Sequence, residues 1–152
     1  GVRDRQVLGP TVTEGKPEAL LVVGRRYQCQ GCFAVLLVLP RGVVARRHYG
    51  GAAIGLALAL YGISGLTAKA VRERVSPNRV MGEAAKERWA TLRRWIAAVK
   101  SQRLFPSLGG IPETTPKHTA DQAARKLTAH APPTVRHLSM CEQAFHGGLA
   151  MV

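Results

Sequence analysis

The sequence predicts a mainly α-helical chain with a small N-terminal β-hairpin, and three observations predict it. Residues 1–40 consist of short apolar runs punctuated by Gly9-Pro10, Glu14-Gly15-Lys16-Pro17 and Gly24, a pattern typical of hairpins. From Tyr49 onward, apolar residues recur at helical spacing. Pro and Gly then cluster between Phe105 and Pro116, setting apart a C-terminal helical stretch. The predicted organisation is a β-hairpin over 1–40, a basic helical region over 41–104, a linker over 105–116 and a helical tail over 117–152.

In the N-terminal part, Ala19 to Val23, Arg25 to Gln28 and Phe33 to Leu39 are expected to form two or three strands around Cys29-Gln30-Gly31-Cys32. Pro40 closes this section, because it cannot donate to a ladder. Gly50 to Leu66 then runs seventeen residues without a charge. That is marginally short for a membrane span, and Gly62 and Gly65 cut its helical part to about Gly51 to Tyr61. A buried helix with Ile54, Leu58 and Tyr61 on one face is the expectation.

After that break, Thr67 can cap a short helix from Ala68 to Arg74, its hydroxyl accepting from an orphan amide. Ser76-Pro77 has the form of a second helix start, with Ser as cap and Pro at the first helical position. From there a long third helix is expected, burying Met81, Ala85, Trp89, Leu92, Ile96 and Val99. On its other side Arg79, Lys86, Arg93 and Lys100 recur every seven residues, beside Arg94. Should Gly82 break this helix, Trp89 to Lys100 remains and residues 77–88 become an insertion. Further helices are expected from His118 to His130 and from Leu138 to about His146.

The charge balance indicates the partner. The 152 residues carry 22 Lys and Arg against 9 Asp and Glu, a net +13, and +10 of it lies between Arg41 and Arg103. Excess charge confined to one region suits a polyanion. A buried helix, a short helix, a turn and a cation-bearing helix together suggest a helix-turn-helix middle, in which two helices brace a third against duplex DNA. Asn78, Arg79, Thr91, Arg93 and Arg94 are candidates to read bases, since Asn pairs with adenine and Arg with guanine, while Lys86 and Lys100 suit phosphates.

Cys29-x-x-Cys32 has the form of a zinc-ribbon knuckle, but half a site does not complete a tetrahedron. Distant donors are His48, His137, Cys141 and His146. Zinc is therefore expected only if ligands lie upstream of Gly1, and the ribbon counts as degenerate. Three cysteines suit a reducing compartment.

Arg25 to Cys32, Val38-Leu39-Pro40-Arg41-Gly42-Val43 and Arg46-Arg47-His48-Tyr49 together resemble bacterial transposase-associated proteins that join a zinc ribbon to a helix-turn-helix. The similarity spans roughly residues 20–100, and this chain departs from the pattern in lacking a first cysteine pair. The resemblance implies binding of mobile-element DNA, Cys29 and Cys32 as metal ligands, and the third helix as reader.

Catalysis is not expected. A two-metal nuclease core needs several acidic ligands, and the chain has two aspartates, Asp4 and Asp121, both outside the basic middle. No phosphate-binding glycine loop or nucleophile elbow is present. The expectation is a cytoplasmic, nucleoid-associated DNA-binding accessory or remnant protein of a mobile element. Its partners would be duplex DNA, a transposase or a second copy of itself as a homodimer, with no membrane partner. The alternative is an interaction module that binds a partner transposase through the helical tail.

Overall fold

The computed structural model describes residues 1–112 and 114–152, except for the side chains of Ala84 and Ala85. Three antiparallel strands, β1 (Val2–Gly9), β2 (Glu18–Gln28) and β3 (Val35–Val38), form one sheet in that order. Helices α1 (Gly51–Gly62), α2 (Ala68–Val75), α4 (Ala90–Lys100), α5 (Pro116–Thr128) and α6 (Met140–Ala150) follow, with a single turn α3 (Glu83–Lys86) between α2 and α4. The chain is thus mainly helical with a small N-terminal sheet. β1 is a strand that the sequence reading did not single out, and β2 runs unbroken through Gly24.

α1 is buried almost all round, from Ala53 to Leu60, as a helix without a polar face must be. α5 and α6 pack on it and on each other. The α1–α6 crossing is close because glycines line it. A Cβ on Gly55 would fall inside van der Waals contact of the Ala144 carbonyl, and one on Gly148 would meet the Gly51 carbonyl. No helix among the described residues is long and apolar enough to cross a membrane.

Helix starts follow their caps. Thr67 accepts the Ala70 amide at 3.2 Å, Thr115 accepts the His118 amide at 3.3 Å, and Ser139 with Glu142 makes a reciprocal capping box. α5 starts before the expected His118 because Thr115-Pro116 is its cap and first residue. The stretch read as a linker contributes Phe105, Leu108 and Ile111 to the core, and Lys126 clamps it by donating to the carbonyls of Leu108 and Gly110, each at 2.9 Å.

The long third helix does not form. Residues 77–82 are non-helical, and Gly82 sits at φ +95°, a conformation that ends a helix and that side chains disfavour. Downstream, buried Arg72 of α2 donates to the carbonyls of Lys86 (3.3 Å) and Arg88 (3.1 Å), turning them inward and away from a helical ladder. Met81, expected in the core, is 91% exposed, whereas Trp89, Leu92, Ile96 and Val99 are buried as expected. Ala85 lies outside the described side chains. Arg79, Lys86, Arg93 and Lys100 therefore do not form a continuous stripe on one helix. The connection from α2 to α4 spans residues 76–89, longer than the three or four residues of a simple helix-turn-helix.

The sheet joins the helices at one corner. The Leu8 amide donates to the His48 carbonyl at 2.7 Å, the Gly50 amide to the Leu8 carbonyl at 3.3 Å, and the Arg5 guanidinium to the carbonyls of Val44 and Arg47. Strand register puts Val2, Leu21, Val23, Tyr27, Leu36 and Val38 on the outer face, where all are exposed.

Candidate nucleic-acid interface

α4 divides into two faces. Leu92, Trp95, Ile96, Ala98 and Val99 enter the core, and Trp95 stacks edge-on against Tyr49 and Trp89, with ring centroids 5.0 Å apart in each case. Such aromatic contacts fix a helix in place more firmly than area alone. Ala90, Arg93, Arg94, Ala97 and Lys100 remain exposed. Arg93, Arg94 and Lys100 thus share one solvent face, with only alanines between them.

At the N-terminal end of α4, Asn78, Arg88, Thr91 and Arg93 line a cleft of about 510 Å³ floored by Tyr49, Ser76 and Trp89. The floor is tied by the Tyr49 hydroxyl, 2.7 Å from Ser76 Oγ, which also accepts the Asn78 amide at 3.2 Å. Burial pushes the Tyr49 phenol above its ordinary value, partly offset by the Ser76 bond, so it stays a neutral hydroxyl in that link. Trp89, in extended conformation, precedes α4 without a side-chain cap, and no acid occupies the first turn. That end of α4 is therefore open to an anion.

Three of the expected readers, Asn78, Thr91 and Arg93, converge on this cleft. Arg79 lies beyond it, beside Asn78 and Pro77 in a neighbouring hollow. Lys86 is on α3, exposed and 3.2 Å from Glu83, while Arg94 and Lys100 continue along α4. Sequence reasoning missed Arg88, which the expected helix would have carried, and Arg72, whose role needs three-dimensional proximity to two carbonyls. It also passed over a second basic cleft of about 740 Å³ that Arg3, Arg46, Arg47 and His48 line together with Asp4.

Cys29 and Cys32 sit exposed at the tip of the β2–β3 hairpin. The Cys29 amide donates to the Ala34 carbonyl and the Phe33 amide to the Cys29 carbonyl, each at 2.9 Å, with Phe33 in the left-handed region at φ 59°. The amides of Cys32 and Gly31 and the Cys32 side chain hydrogen-bond the Cys29 sulfur and lower its pKa from the ordinary thiol value. The pair therefore presents two preorganised thiolate donors. Among the described residues no group of three or more His, Cys, Asp and Glu side chains could hold a metal, so the tip supplies two of the four ligands that zinc requires.

The chain matches no protein-family model, no curated protein and no solved structure.

Proposed function

We propose that the chain binds duplex DNA, with α4 entering the major groove and the Asn78–Arg79 segment beside its N-terminus. The observation that carries this reading is the exposed face of α4. Arg93, Arg94 and Lys100 project from a helix locked by its opposite face, and Ala90 and Ala97 let its backbone approach closely. The major groove admits a helix of this diameter. α2 and α4 act as a helix-turn-helix with residues 76–89 inserted. In this reading Arg93 and Asn78 reach base edges, while Arg79, Arg94 and Lys100 neutralise phosphates. The assignment to mobile-element DNA, the degenerate ribbon and the nucleoid location rest on the resemblance over residues 20–100. The apolar faces of α5 and α6 are occupied by α1, which leaves only their polar faces for a protein partner and disfavours the interaction-module reading.

The test is duplex binding at several salt concentrations. Arg93→Ala, Arg94→Ala and Lys100→Ala together should flatten the slope of log affinity against log salt by about 3, at roughly 0.9 per lost phosphate contact. Removing three cations elsewhere, at Lys16, Arg25 and Arg136, should change it less. A triple α4 variant with wild-type affinity and slope would show that face to be ordinary solvated surface.

A further inference from the structure

We propose that the hairpin tip is half of an intermolecular zinc site, in which Cys29 and Cys32 of two copies of this chain supply four sulfurs to one Zn²⁺ and so join the copies tip to tip. The inference is independent of the DNA-binding reading. Three observations meet at this end of the molecule. The two thiols are exposed on a closed turn whose amides already face the Cys29 sulfur, which is how a knuckle holds a thiolate, yet no third or fourth donor is gathered with them among the described residues. Phe33 (71% exposed), Leu36 and Tyr27 surround the tip as apolar surface that a second tip would cover. Residues 19–40 contain no acid, and the only charges there are Arg25 and Arg26.

The charge argument favours a second copy as the occupant. Four thiolates around Zn²⁺ leave a net charge of −2, and binding releases one proton from each of the four thiols. Two copies bring four arginine charges along the hairpins, about 10 Å from the sulfurs at three residues of strand rise. These offset the dianion, whereas two tips without metal would only repel. Association is therefore coupled to zinc.

The experiment uses the whole chain with a non-thiol reductant present, ZnCl₂ as titrant, and mass and bound metal measured together. The expected result is one zinc per two chains at saturation and a rise in mass from 16.4 kDa to twice that value, reversed by a chelator. Cys29→Ser with Cys32→Ser should abolish both with an unchanged melting curve, since both side chains are exposed, and Cys141→Ser should leave both intact. Cobalt(II) in place of zinc should give the absorption of a tetrahedral four-thiolate centre. One zinc per monomer, no zinc bound, or a dimer that persists in the double variant or without metal would each overturn the proposal.

Discussion

The helical body and the N-terminal sheet are built on opposite terms. In the body, α1 is enclosed by α5 and α6, and Ile54, Leu56, Leu58, Trp95 and Leu127 have almost no exposed surface. In the sheet, β2 carries an equally apolar run, Ala19 to Val23, yet Leu21 is 69% exposed and Val23 53%. A strand with consecutive apolar residues normally has both faces covered. The same kind of side chain therefore stabilises one region and leaves the other as open contact surface. The body should set global stability, and the sheet should open locally at lower free energy.

A matched pair of substitutions gives the largest expected contrast. Leu58→Ala removes a side chain enclosed in α1 and should cost about 2 to 5 kcal/mol through lost burial and the cavity left behind. Leu36→Ala, on the exposed face of β3, should stay within about 0.5 kcal/mol, the usual range for surface changes. Denaturant midpoints decide the matter. Equal losses would mean that the sheet face is covered in solution, as a metal-independent dimer would require.

A smaller effect tests how closely the body is packed. Gly55→Ala places a methyl group against the Ala144 carbonyl, with backbone on both sides and no flexible side chain to yield. A cost of about 1 to 3 kcal/mol is expected from overpacking, against the modest gain that alanine normally brings to a helix interior. A stabilised Gly55→Ala chain would mean that α1 and α6 stand further apart than described.

The same contrast explains what the sequence revealed. Caps and helical periodicity are local, so the helices begin close to where Thr67, Thr115-Pro116 and Ser139 place them, and the burial of Leu92, Ile96 and Val99 followed from spacing. Ser76-Pro77 misled because the motif is ambiguous. Ser76 Oγ does accept a nearby amide, that of Asn78, but its other partner is Tyr49, twenty-seven residues away, and no helix follows. The break before α4 depends on Arg72 reaching two carbonyls, which no pattern in the chain announces. Part of the candidate interface was legible because Thr91, Arg93 and Arg94 lie on a helix whose period is visible. Its cleft was not, because Asn78 and Arg88 reach it through an irregular loop.

The smallest expected effect concerns pH and belongs to the body alone. The Ser139 hydroxyl donates to Glu142 Oε2 at 2.8 Å and the Ser139 amide at 3.0 Å, and His146 and His137 add to their effect, so the carboxyl is held below its ordinary value. A carboxyl whose pKa is lower in the folded than in the unfolded chain contributes stability that is complete above the unfolded value. That contribution is lost as pH falls through the folded one. Acidification should therefore loosen the start of α6, where the capping box joins the last helix to the bundle. Glu142→Gln keeps an oxygen acceptor but cannot titrate, so wild type should melt above the variant at neutral pH, and the gap should close through the acid range. Because the group is exposed, solvent screening keeps the gap small. A melting difference that is constant with pH would show that the capping box contributes through shape alone.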